Sequence, residues 1–274
     1  MALVPFGLVL GVTVVFARPG NQSSRIDIVA HRGVSSIAPE NTLASINMAW
    51  QLGANVEVDV HLTKDHQIVA IHDKSTRRTA GIHHVVKDTT YESLKKLDVG
   101  RFKGRAFQGE SIPLLSQILE TMPSSRMLFV EIKCGAEILP YLDREFNRSG
   151  KRHQMTIIGF ELKTVTAAKE RMPDIPTYWL RATRKDRAKK RQLPHDVAWI
   201  QAAKQRRLDG LDVHAAGVTR AFAHAVKRAN LKLYVWTVDN IKTARRLAWY
   251  GVTGITTNRP EFLLNLGREF KSVP

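Results

Sequence analysis

The sequence predicts an α/β fold in which successive strand–helix units close into a parallel barrel. Three observations predict it. Short apolar, β-branched runs alternate with amphipathic stretches from residue 25 onward, the pattern of parallel βαβ units. The 274 residues, 43% of them hydrophobic, suit one barrel domain, a fold that commonly takes roughly 250 residues. Finally, the Gly-rich phosphate loops GxGxxG and GxxxxGKS/T, which mark many doubly wound open sheets, do not occur.

Strands are expected at Ile26–Ala30, Asn55–Leu62, Ile68–His72, Met127–Lys133, Met155–Phe160, Pro176–Leu180, Gly210–Val213, Lys232–Thr237 and Gly254–Thr257. Each is a short Val-, Ile- or Leu-rich run bounded by turn-forming residues. Helical spacing of apolar residues fills the gaps at Asn41–Leu52, Leu114–Met122, Ala136–Phe146, Glu161–Arg171, Thr219–Ala229 and Asn240–Tyr250. Two stretches break the alternation. Lys74–Ile112 is long, polar and Gly-containing, as a functional insertion would be. Arg181–Arg191 carries seven basic residues and one acid and reads as a solvated loop and helix face.

Residues 1–24 stand apart from residues 25–274, the barrel. Ala2–Ala17 is uncharged and mostly apolar, and at 16 residues it is shorter than a membrane span, which needs about 20. It reads as a signal-peptide core with Val15-Phe16-Ala17 as a cleavage site, or as an uncleaved anchor, although no Lys or Arg precedes it. The chain is therefore expected to be exported, to a periplasm or outside the cell, or membrane-anchored.

Lys+Arg 42 against Asp+Glu 25 gives a net charge of +17. Such an excess favours an anionic partner: a phosphorylated substrate, an acidic membrane face or nucleic acid. No zinc finger, RNA-recognition signature or heptad is visible, so no specific nucleic acid is expected. Cys134 is the only cysteine, which excludes an intramolecular disulfide and a multi-Cys metal site, and it reads as a small buried thiol.

The chemistry begins at "EVDV". Residues two apart on a strand face the same side, so Glu57 and Asp59 project together while Val58 and Val60 point into apolar packing. Two carboxylates on one inward face need a positive charge between them, and a hard divalent cation with oxygen ligands supplies it. In "MLFVEIK", Glu131 and Lys133 share a face in the same way. Glu131 could complete a metal shell and Lys133 could hold a phosphate oxygen. His31 and His72 each close an apolar run, and the active site of a barrel lies at its strands' C-terminal ends. One imidazole can take a proton while the other gives one. Arg32 adds a fork for phosphate oxygens, and Gly33 permits a tight backbone approach. His61, His83, His84 and His214 lack this setting and read as structural or surface residues. Together these groups describe phosphodiester cleavage.

The segments "AHRG", "APENTLASI", "GANVEVDVHLTKD", "VAIHD", "TRRTAG", "VEIK" and "VWTVDN" resemble, in this order, the glycerophosphodiester phosphodiesterase family, over roughly Ile28 to Pro260. The resemblance implies a (β/α)8 TIM barrel with a small insertion after the second strand, here about residues 74–112. It implies His31 and His72 as the acid/base pair, Glu57, Asp59 and Glu131 as ligands of Ca²⁺ or Mg²⁺, and Arg32 and Lys133 on the phosphate. Asn41 would support the site by hydrogen bonding, and Trp236 would form an aromatic wall against glycerol. The reaction implied is attack by the glycerol hydroxyl next to the phosphate. A cyclic phosphate forms, and water opens it to glycerol 3-phosphate.

Two positions depart from the family pattern: Gly159 before Phe160, where the family often has Ser, and Asn258 near the last strand end, where Asp is common. Neither is expected to touch the metal or histidine residues. A lysophospholipase D-like activity on membrane lysophospholipids, with association to a membrane surface, and a non-catalytic barrel that binds anionic lipid are the alternative readings.

Overall fold

Burial on both faces of the strands sets the architecture. In the computed structural model, which describes residues 26–186, 188 and 190–264, the strands are β1 (Asp27–His31), β2 (Asn55–Leu62), β3 (Ile68–Ala70), β4 (Leu128–Ile132), β5 (Met155–Gly159), β6 (Thr177–Arg181), β7 (Lys185–Asp186), β8 (Arg191–Gln192), β9 (Gly210–His214), β10 (Lys232–Trp236) and β11 (Gly254–Thr257). Eight of them, β1, β2, β4, β5, β6, β9, β10 and β11, pair in parallel, and β1 closes the ring by pairing with both β2 and β11. The fold is a TIM barrel.

The principal outer helices are α1 (Leu43–Leu52), α4 (Leu115–Thr121), α5 (Leu139–Arg148), α6 (Leu162–Arg171), α7 (Ala198–Gln205), α8 (Arg220–Arg228) and α9 (Ile241–Trp249). Short α2 (Arg77–Ala80) and α3 (Tyr91–Leu94) lie in the insertion, and α10 (Pro260–Leu263) follows the last strand. Outward strand residues such as Val56, Val58, Val60 and Val130 pack against helices in one large cluster, and Leu211, Val213, Leu233 and Val235 do so in a second. The inward residues Val29, Phe129, Ile158, Tyr178, Leu180 and Tyr234 fill the barrel itself. Tyr234 stacks on Tyr178 at 5.1 Å and tilts against Phe129 at 5.0 Å. Its hydroxyl donates to Asp27 at 2.7 Å. Aromatics thus plug the lower barrel and leave the inward positions above them for polar side chains.

Three elements differ from the expected string. The run Ile68–His72 is a strand only over Ile68–Ala70, and it pairs antiparallel to β2 outside the ring. The cause is the length of β2: its last residues overshoot the barrel rim and fold back as a hairpin, with the Ile71 N–H donating to the Asp59 carbonyl at 2.9 Å. Helix α7, with Trp199, Ile200 and Ala203 buried, was not expected, because its apolar face is only one turn and a half long. Within the basic run, β7 and β8 form a two-residue antiparallel ladder instead of a helix face. Val86, Leu94, Val99 and Ile112 of the insertion form a small core with Val69 of β3 and Ile71 just after it. Residues 1–24 lie outside the described residues. Among the described residues, no helix is long and apolar enough to cross a membrane.

Phe129 is 2% exposed and joins both tyrosines of the plug. Phe129→Ala is therefore expected to lower the unfolding free energy by about 3–5 kcal/mol, measured by urea denaturation.

Candidate active site

The upper inward positions hold the charged groups. Register puts Glu57 beside His31, and Asp59 beside Glu131. One oxygen from each of Glu57, Asp59 and Glu131 lies within 4.8 Å of the others, and all three residues are buried. Glu57 Oε1 and Asp59 Oδ1 are buried and accept no hydrogen bond. Such an all-carboxylate set, with buried oxygens left over, could hold a hard divalent ion.

Several groups restrain this repulsive cluster. Lys133 Nζ lies 2.7 Å from Glu131 and 3.4 Å from Asp59. Arg32 Nε lies 3.0 Å from Asp59, and the Arg32 backbone N–H donates to Glu57 at 2.9 Å. Asn41 brackets Asp59: its side-chain amide donates to Oδ2 at 2.9 Å, and its carbonyl oxygen accepts from the Asp59 N–H at 3.1 Å. Arg32 (φ 57°) and Asn41 (φ 58°) both occupy the left-handed region. Asn tolerates it better than most residues, which explains the amide in "PENT". Gly33 follows at φ 79°, and a Cβ there would sit 2.5 Å from the backbone of Ser45.

Burial pushes Glu57 well above the ordinary carboxylate range, and the charges of Asp59 and Glu131 push it further. Glu131 is raised to about 7, first by burial and then by Asp59. Asp59 is also buried, yet Arg32 and Lys133 hold its carboxyl below the usual value.

His31 and His72 face one cavity of about 200 Å³, which Arg32, Glu57, Glu131, Lys133 and Trp236 also line. Different groups hold the two rings. His31 Nδ1 lies 2.7 Å from Asn258 Oδ1, and Asn258 gives its amide N–H to Asp239 at 2.7 Å. That bond fixes the orientation of the amide, so His31 Nδ1 carries the proton and Nε2 presents a lone pair. Burial, followed by Arg32, lowers the pKa of His31. His72 Nδ1 instead lies 2.7 Å from the Asp73 carboxylate. Arg78 links Asp73 (2.7 Å) to Glu40 (2.7 Å), and Glu40 accepts from Arg32 at 2.9 Å. The insertion thereby ties His72 to the turn that carries Arg32. His72 does not end a barrel strand: the β2–β3 hairpin lowers it to the level of Asp59, where its carbonyl meets His61 Nε2 at 3.3 Å.

Trp236 forms a cavity wall with Phe160, edge-on at 5.6 Å, and its indole N–H donates to the Asp212 carbonyl at 3.3 Å. All nine residues singled out in the sequence, including Asn41 and Trp236, meet at this end of the barrel. Two expectations are corrected. Asn258 does touch the histidine pair, because the last strand of a closed barrel returns beside the first. Cys134 is half-buried, not buried. Asp212 was missed. It lines the cavity, is 1% exposed, and leaves Oδ1 without a partner. Burial, followed by Glu131, pushes its carboxyl well above the usual range. The signal was available in "GLDVH", where an acid interrupts an apolar strand on its inward face.

Residues 31–262 match the family model described as the glycerophosphoryl diester phosphodiesterase family. The chain belongs to that family. It is an enzyme of the phosphoric diester hydrolase class. A glycerophosphodiester phosphodiesterase of Caldanaerobacter subterraneus subsp. tengcongensis is 33% identical over 250 residues, covering 88% of this chain and 98% of the relative. Among solved structures, an Oleispira antarctica phosphodiesterase in complex with the product sn-glycerol 3-phosphate is 26% identical. It superposes with a TM-score of 0.80, covering 89% of this chain and 96% of the other. A lysophospholipase D of Mus musculus is 32% identical over 138 residues, which is 48% of this chain and 44% of that one.

The raised carboxyl of Glu131 has a stability consequence. An unfolded Glu titrates near 4.5 and the folded one near 7, so within that window the folded chain keeps a proton that the unfolded chain has lost. Stability therefore falls as pH rises across the window, and the loss is complete above it. Glu131→Gln is expected to raise the Tm of chelator-treated protein at about pH 8 and to change it little at about pH 5, read by differential scanning fluorimetry.

Proposed function

We propose that this protein hydrolyses glycerophosphodiesters to sn-glycerol 3-phosphate and an alcohol, with a divalent cation, Ca²⁺ or Mg²⁺, held by Glu57, Asp59 and Glu131. One observation carries the reading: three clustered buried carboxylates border a cavity that two differently supported imidazoles share, and Glu57 and Glu131 line it. When bound, such an ion neutralises phosphate charge and acidifies a nearby hydroxyl.

The remaining chemistry belongs to the chain. Arg32 and Lys133 carry the positive charge that meets the phosphate oxygens. His31, neutral and with its Nε2 lone pair free, takes the proton of the glycerol hydroxyl adjacent to the phosphate. That oxygen attacks phosphorus, and the bond to the leaving alcohol breaks. His72, oriented by the contact of its Nδ1 with the Asp73 carboxylate, gives its Nε2 proton to the departing oxygen. The roles then reverse as water opens the cyclic phosphate. Trp236 offers an apolar face to the glycerol carbons, and Asp212 offers its unpartnered carboxyl to a glycerol hydroxyl.

The partial likeness to a lysophospholipase D and the charge of +17 support a second reading, in which the same site takes a lysophospholipid at a membrane surface. Comparison of glycerophosphocholine with lysophosphatidylcholine separates the two. Export or anchoring through residues 1–24 is part of the proposal, and mass spectrometry of the mature N-terminus tests it.

His31→Ala and His72→Ala are each expected to lower turnover of alkyl glycerophosphodiesters by roughly 10²–10⁴-fold without unfolding the chain. Only His72→Ala should recover on a p-nitrophenyl diester, whose leaving group needs no proton; recovery of His31→Ala instead would reverse the assignment. EDTA treatment followed by dialysis is expected to remove activity, and Ca²⁺ or Mg²⁺ to restore it. Full activity after chelation would refute the cation.

A further inference from the structure

A second, larger cavity opens off the catalytic one. It measures about 710 Å³ against about 200 Å³, and the two share Glu131, Lys133 and Phe160. A phosphodiester has two halves, and the catalytic cavity is of a size for glycerophosphate alone. The shared residues put the larger cavity next to the phosphate position, where the second half of a substrate must go.

One wall of this cavity is basic. Lys64, Lys74 and Lys87 line it, and all three are exposed. None has an ion pair or a side-chain hydrogen bond among the described residues. Backbone bonds join the segments that carry them: the Lys64 N–H donates to the Thr89 carbonyl at 3.1 Å, and the Val86 N–H donates to the Lys74 carbonyl at 3.0 Å, on either side of Lys87. The floor is apolar, formed by Leu62, Ile132 and Phe160. Two acids also line the cavity. Glu137 is turned back to accept its own loop's Gly135 N–H at 3.0 Å, and Glu161 accepts the Thr164 hydroxyl at 2.8 Å. The carboxylates are engaged locally, whereas the ammonium groups have no partner. Unpaired like charges on one wall repel each other, and an anion between them relieves the repulsion.

We propose that this cavity receives the alcohol half of the diester and that the Lys64, Lys74 and Lys87 wall selects a bulky alcohol bearing negative charge, such as a phosphorylated or carboxylated polyol. The inference rests on the phosphodiesterase reading above.

Three diesters that differ in the charge of the alcohol test it: glycerophosphocholine, glycerophosphoglycerol and fully deacylated cardiolipin, whose leaving alcohol is the anionic glycerophosphoglycerol. Glycerol 3-phosphate release gives kcat/KM for each. Wild-type protein is expected to prefer the anionic alcohol over the cationic one by at least about tenfold, a preference that shrinks with added salt. The triple variant K64Q/K74Q/K87Q, with its fold checked by circular dichroism, is expected to lose that preference. A wild-type preference for choline, or an unchanged ratio in the variant, overturns the subsite and leaves the reaction standing. No release from any diester overturns the reaction instead. In that event calorimetric titration with glycerophosphoglycerol decides the subsite: binding that the variant lacks upholds it, and no binding by wild type overturns it.

Discussion

Mutual repulsion of Glu57, Asp59 and Glu131 is the constraint on which the upper half of this barrel is built. Bringing three acids together out of water is strongly unfavourable unless cations and donors surround them. The surrounding residues meet that demand: Lys133 and Arg32 supply charge, while Asn41 and the Arg32 N–H supply hydrogen bonds. The left-handed backbone at Arg32 and Asn41 is strained for residues other than Gly, and it brings both donors to the carboxylates. What the restraint leaves over, two buried oxygens that accept no hydrogen bond and two carboxyls pushed upward in pKa, is the capacity to take a dication and release protons.

The barrel divides its labour along its axis. Below, Phe129, Tyr178 and Tyr234 fill the interior and give rigidity. Above, the same alternating positions carry Glu57, Asp59, Glu131, Asp212 and Trp236. The long β2 and its antiparallel return on β3 bring His72 back to the level of the acids, and the insertion locks it there through Asp73 and Arg78. The two imidazoles therefore face one cavity with unlike partners, a neutral amide behind one and a carboxylate behind the other.

Much of this was legible because strand periodicity is local. In "EVDV" and "VEIK" inward charged residues alternate one by one with apolar outward neighbours, and the closed parallel ring follows from the repeated strand–helix alternation. What was not legible depends on closure and on third partners. Asn258 meets His31 only because β11 lies beside β1, a contact across 227 residues. Asp212 shows locally as the inward acid of "GLDVH", but its place on the cavity wall opposite Glu57 and Glu131 follows only from the closed ring. The antiparallel turn of β3 could not be told from a barrel stave, since three buried apolar residues look alike in either setting.

The most direct test of the account is calorimetric titration of the metal-stripped chain with Ca²⁺ and Mg²⁺ in buffers of different ionisation heat near pH 7. The account predicts one saturable site that releases protons on binding, because Glu131 and Glu57 must ionise to hold the ion, and predicts its loss in Glu57→Gln and Asp59→Asn. No binding, or binding that these variants leave intact, would contradict it.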